Sequence, residues 1–245
     1  CTGGIGTSLE LYPNVTKVSE KEFKTTFEVK TKALYDKLPV AFRMIRELLM
    51  ESKFEDEKRL EEILALLKSR LQMKFQSSGH MTAVLRAMSY RSPMSQFKDL
   101  TSGIAFYEKV CQIAEHFEEE KEELTQNLKK LSEKIFRADN MIISCTSRKE
   151  GLEGLAELIK ELKGGIYQGA AENTPCILHC EKKNEGFKTA SKVQYVARTG
   201  NFMEEGLAYT GALQILKVIL SYDYLWQNIR VKGGAYGCMS NFNRI

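Results

Sequence analysis

Apolar and polar residues alternate with a period of two near the start of the chain. Ile5, Thr7, Leu9 and Leu11 alternate with Gly6, Ser8 and Glu10, and Phe23, Thr25, Phe27 and Val29 with Lys24, Thr26, Glu28 and Lys30. Successive strand side chains point to opposite sides of a sheet, so this spacing predicts two half-buried antiparallel strands. The period then lengthens to that of a helix. Asp36 and Pro39 mark a helix start, and Phe42, Ile45 and Leu49 recur at helical spacing. Leu60, Ile63, Leu64, Leu67 and Leu71 predict a strongly amphipathic helix ending at Gly79. Further helices are predicted over 80–91, 103–117 and 118–136.

The period changes again at 141–145, which reads as a short apolar strand, followed by a short helix over 152–162. Gly164 to Pro175 holds three glycines and a proline and reads as a linker. Strands are predicted at 176–180 and 188–198, then a long helix carrying Ala212, Ile215, Leu216, Ile219 and Leu220, then a Gly-rich strand from Gly234. Strands and helices are segregated, which predicts an α+β fold: an antiparallel sheet packed against a layer of helices. The expected organisation is one domain over 1–163, a linker over 164–175, and a second domain begun over 176–245. Gly3-Gly4-Ile5-Gly6 opens the first strand and Gly233-Gly234-Ala235-Tyr236-Gly237 the last. That echo fits either a repeated domain or the common use of paired glycines before a strand.

Composition narrows the class without naming a function. A chain of 245 residues that is 43% hydrophobic and 28% charged can bury a sizeable core, which excludes disorder. The net charge of +4 is small and not gathered into one block, so nucleic acid is not an expected partner. The most apolar stretch, 207–226, is interrupted by Lys217 and Asp223, which argues against a membrane span. Six cysteines do not form a disulfide pattern, and strand spacing would hold Cys176 and Cys180 about 13 Å apart. Free thiols point to a reducing compartment: the cytoplasm, or an organelle matrix in a eukaryote. The chain opens at Cys1 rather than methionine and closes at Ile245 within a predicted strand, so an internal piece of a longer polypeptide is expected.

Candidate chemistry is sparse. His80, His116 and His179 lie far apart, with no H-E-x-x-H or H-x-x-E-H to set two imidazoles on one helix face. His116 precedes Glu118–Glu123, but a solvated acidic helix explains that run better than a metal site. Gly-x-Ser-x-Gly and phosphate-loop motifs are absent, and no cysteine has an obvious histidine partner. The remaining feature is Trp226-Gln-Asn-Ile-Arg230-Val-Lys232-Gly-Gly-Ala-Tyr236-Gly237. Its local physics is that of a helix end: basic residues complement the dipole and Gly233 can adopt the left-handed conformation.

That segment resembles the Arg/Tyr motif of the pitrilysin–insulinase family of zinc metallopeptidases, in particular its presequence-protease branch. Thr2-Gly3-Gly4-Ile5, Ser77-Ser78-Gly79-His80, the helix with Arg86-Ala87-Met88, and Lys192-Val193-Gln194-Tyr195-Val196 are similar to that branch in the same order. The resemblance spans nearly the whole chain. It implies most of a third pitrilysin-like domain and the start of a truncated fourth, in a zinc endopeptidase that hydrolyses unfolded peptides within a closed chamber. The zinc and its H-x-x-E-H ligands are then expected in the N-terminal half of the same polypeptide, with no metal held by this chain and no activity from it alone.

The resemblance further implies that Arg230 positions substrate and that Tyr236 stabilises the transition state. Peptide hydrolysis builds negative charge on the scissile carbonyl oxygen, to which a phenol can donate; a guanidinium offers fixed donors for backbone carbonyls. The substrate-binding set expected with them is Gly234, Ala235, Cys238 and Ser240, and an extended strand would put Tyr236, Cys238, Ser240 and Phe242 on one chamber-facing side. His80 is expected to serve structurally at a helix terminus, and Tyr222, Tyr224 and Trp226 to pack. A non-catalytic family member, acting as a partner or scaffold subunit, is the alternative.

Overall fold

Strands β1 (Thr2–Pro13) and β2 (Phe23–Ala33) pair antiparallel, with Leu9 opposite Phe27 and Leu11 opposite Thr25. The register shifts between Thr2 and Ile5, where Gly4 takes a φ of 92° that a side chain would strain. The two phenylalanines on one face of β2 carry the sheet onto the helices. Phe23 meets Phe97 at 5.7 Å between ring centroids, and Phe27 meets Phe136 at 5.5 Å. The computed structural model describes residues 2–13, 23–170, 178–190 and 192–243. Cys1, Cys176 and residues 171–175 of the expected linker lie outside these.

Helices follow where the longer period predicts them, and one more forms over Pro93–Ser102, where none is predicted. Helix α1 (Leu38–Met50) has Pro39 in its first turn, and α2 (Glu57–Ser77) begins at Asp56, whose carboxylate accepts from the Arg59 amide at 3.0 Å. Helices α3 (Gly79–Ser89), α4 (Pro93–Ser102), α5 (Ile104–Glu115) and α6 (Phe117–Ile135) complete the layer. Leu64 and Leu71 of α2 are buried with Val110 of α5 and Phe117 of α6, flanked by Phe75 and Tyr107 in an edge-to-face pair. Full burial of each such side chain contributes about 1.5–3 kcal/mol. A second cluster joins α1 to α7 (Leu155–Gly164): Phe42 and Ile45 pack on Ala138, Leu162 and Ile166.

The α+β assignment stands, but the sheet is smaller than the alternation predicts. β1–β2 is the one ladder among the described residues, and the described parts of 141–145, 176–180, 188–198 and the stretch from Gly234 lie outside it. The physical reason is that a strand exists only with a hydrogen-bonded neighbour, which a one-chain pattern does not supply. At 141–145 the chain still sends neighbouring residues to opposite sides: Met141 and Ile143 pack inward on the second cluster while Ile142 points to solvent.

The chain divides into two compact units, 1–197 and 198–245. In the second, helix α8 (Ala212–Ile219) runs on into a π-helical stretch, Leu220–Val231, in which the Lys232 amide reaches the Gln227 carbonyl five residues back. The segment after it returns alongside α8. Ser240 and Ser221 share a hydrogen bond of 3.0 Å, Gln214 donates to the Phe242 carbonyl, and Phe242 meets Phe202 edge-on. Among the described residues no helix is long and apolar enough to cross a membrane.

Candidate functional site

Arg230 occupies the last turn of the π-helical stretch, four residues after Trp226, so the two side chains lie over one another. The guanidinium sits 4.3 Å from the indole centroid. Such stacking contributes about 0.5–1 kcal/mol at exposed sites, enough to restrict an otherwise mobile side chain. The helix ends just beyond. A Cβ on Gly233 would fall 2.6 Å from the Ile229 carbonyl oxygen, so only glycine fits, and Gly234 turns the chain with a φ of 72°. The Gly234 amide donates to the Arg230 carbonyl at 3.0 Å and the Ala235 amide to Ile229 at 3.2 Å, closing the turn from which Tyr236 emerges.

Tyr236 is 88% exposed and Arg230 is exposed as well. Among the described residues neither side chain makes a hydrogen bond or an ion pair, so both arrive with donor capacity unspent. Ala235, Cys238 and Ser240 are half-buried and Gly234 exposed. The expected common face of 236, 238, 240 and 242 therefore splits. Ser240 and Phe242 turn toward α8, where the Ser240 hydroxyl lies between Ser221 and the Lys217 carbonyl, while Tyr236 stands in solvent. Tyr222 and Tyr224 are 68% and 61% exposed, so they form no core within this unit; Trp226 serves to hold Arg230.

The histidines do not assemble. His80 is exposed at the start of α3 beside the ring of Tyr195, His116 caps α6 within 3.5 Å of Glu119, and His179 lends its backbone carbonyl to Gln96. Glu118–Glu123 lies on α6, with Lys121 bridging Glu118 to Glu57. Among the described residues no three His, Cys, Asp or Glu side chains converge in a way that would hold a metal.

One polar assembly has no counterpart in the motifs. Arg86 of α3 is held between Asp99 of α4 and Glu185, ninety-nine residues further on, with Tyr90 and Phe187 flanking it. The only sequence signal is that Arg86 falls within one of the segments that carry the resemblance. Its partners are unremarkable charged residues, whose proximity no spacing announces.

Two family models match the chain: one described as a peptidase-associated domain, over residues 1–113, and the PreP C-terminal domain, over residues 184–245. Protein HypA of Clostridium perfringens is 35% identical over 99% of this chain, which corresponds to 25% of that protein. Presequence protease 1, chloroplastic/mitochondrial, of Arabidopsis thaliana is 21% identical over 99% of the chain and 22% of its own length. The mitochondrial presequence protease of Eremothecium gossypii is 26% identical over 99% of the chain and 25% of its own length. The chain thus spans about a quarter of the length of these curated relatives.

Proposed function

The chain belongs to the pitrilysin–insulinase family, in its presequence-protease-like branch, and from that premise we propose that it is the substrate-positioning part of a larger endopeptidase acting on unfolded peptides. The observation that carries this reading is the pair of exposed donors with no hydrogen-bond partner among the described residues, Arg230 and Tyr236, at the two ends of a glycine turn. Residues 1–163 then make most of one pitrilysin-like domain and 176–245 begin the next. Zinc and its ligands belong, in this reading, to the N-terminal half of the longer polypeptide, and free thiols suit a reducing compartment.

The chemistry asked of these residues is simple. Arg230, steadied by Trp226, donates to backbone carbonyls of an extended peptide, a contact indifferent to side-chain sequence. When the scissile amide becomes tetrahedral, charge develops on its oxygen, and the Tyr236 hydroxyl donates a hydrogen bond there while keeping its proton. Gly234 and Ala235, with little or no side chain, let a peptide backbone approach, and Cys238 and Ser240 complete the edge of the same segment.

The test is Tyr236→Phe in the longer polypeptide. Loss of one oxyanion donor predicts a fall in kcat of roughly 10²–10³ with KM nearly unchanged. An unchanged kcat removes Tyr236 from the reaction, whereas no turnover from the unaltered polypeptide leaves the scaffold reading in its place.

A further inference from the structure

Residues 178–190 and 192–197 contain no helix and no ladder strand. They are nonetheless held, along α3 and α4. At one end Gln96 donates to the His179 carbonyl at 3.1 Å. In the middle Arg86 makes a two-pronged ion pair with Glu185, Nε to one oxygen at 2.9 Å and an Nη to the other at 3.2 Å, and the Tyr90 hydroxyl closes on the same carboxylate. The guanidinium also lies over the rings of Tyr90 and Phe187, at 5.4 and 5.6 Å. At the far end the Tyr195 ring packs so closely on Gly79 that a Cβ there would fall 2.4 Å from it.

Arg86 reaches Glu185 because it is braced from behind. Asp99, only 2% exposed, accepts from Arg86 at 2.7 Å with one oxygen and from the Ile104 amide at the start of α5 with the other, at 3.0 Å. Gly103 makes room for it, since a Cβ there would lie 2.1 Å from the Asp99 carboxylate. A bidentate, stacked guanidinium with a buried counter-charge is a strong and directional anchor.

A second observation concerns where the two matched families meet. Arg86, Tyr90 and Asp99 fall in the first matched region, 1–113, whereas Glu185, Phe187 and Tyr195 fall in the second, 184–245. Yet all six belong to the first compact unit, which runs to Ala197. The opening segment of the second region is thus seated on helices of the first.

We propose that Arg86 is a latch, clamping the strap formed by 178–190 and 192–197 to α3 and α4 through Glu185 and so fixing where the second matched region begins. This goes beyond the peptidase reading and does not depend on it. The strap is the part that can let go. Cutting the latch from its own side leaves the Arg86–Asp99 pair intact, whereas removing Arg86 would strand a buried carboxylate and disturb the helices too.

Hydrogen exchange on the 245-residue chain separates these outcomes. Glu185→Ala should speed exchange of the strap amides by about tenfold or more, with those of α2 and α5 unchanged. Arg86→Lys, which keeps the charge but loses the fork and the stacking, should fall in between. Unaltered strap exchange in Glu185→Ala overturns the latch. So does an equal acceleration through α2 and α5, which would make the cluster a general support of the helical layer.

Discussion

The helical layer of the first unit and the helix of the second are built from similar apolar residues used in opposite ways. In α2, α5 and α6 the apolar stripes face one another, burying Leu64, Leu71, Val110 and Phe117. In the second unit no described residue is buried, and Ile215, Val218, Ile219, Tyr222 and Tyr224 all stand at 50% exposure or more. The lesson is that the first unit is held by packing, while the site-bearing turn of the second is held by short-range geometry. Its determinants are one stacked ring, one obligatory glycine and one left-handed glycine.

The contrast is broken or sharpened by substitutions on each side. The largest effect is expected for Tyr236→Phe, two to three orders of magnitude in turnover, with the urea midpoint of the chain unmoved because a solvent-facing hydroxyl supports no packing. Next comes Phe117→Ala, which should cost about 3–5 kcal/mol in denaturant unfolding by leaving a cavity between α2 and α5. The matching change in the second unit, Ile219→Ala, should stay within about 0.5 kcal/mol, since half of that side chain already meets water. Equal costs for the two would show that α8 is covered as α2 is.

Smaller is Trp226→Ala, which frees the Arg230 guanidinium. With a stack of about 0.5–1 kcal/mol lost, KM for peptide should rise two- to fivefold and kcat hold. The smallest effect is one of pH. The Arg86 hydrogen bonds, assisted by Tyr90 and the charge of Lys183, hold the Glu185 carboxyl below the usual carboxylate range against the opposing pull of burial. A depressed carboxyl contributes stability that is present above its unfolded pKa and lost as pH falls through the folded one. Strap exchange, corrected for its intrinsic pH dependence, should therefore be flat from pH 7 to about 5 and quicken only on further acidification. Quickening already near neutrality would point to a different titrating group.

Much of this was legible in the pattern of residues. The repeat through Leu60, Leu64, Leu67 and Leu71 places α2 correctly, because a helix closes its hydrogen bonds within itself and its apolar stripe needs only one long partner surface. The glycine turn after Arg230 is also readable, but its left-handed residue is Gly234 rather than the expected Gly233, which is fixed instead by its close approach to the Ile229 carbonyl. The ladder was legible only for β1 and β2, whose two alternating runs follow one another. At 141–145 the apolar run marks an extended segment but tells neither that Met141 and Ile143 face inward and Ile142 outward nor whether a neighbour pairs with it.

What the residues by themselves determined is every helix of the first unit's layer except the one over Pro93–Ser102, the first pair of strands, and a helix-ending turn that presents a guanidinium and a phenol. What only the tertiary structure decided is the company that charges keep. Nothing in a list of aspartates and glutamates singles out Asp99, thirteen residues from Arg86, or Glu185 in the middle of a strap without secondary structure. Helix and turn preferences act over a few bonds and are written into consecutive residues. An ion pair across ninety-nine residues arises only after folding has brought both groups out of water into one place.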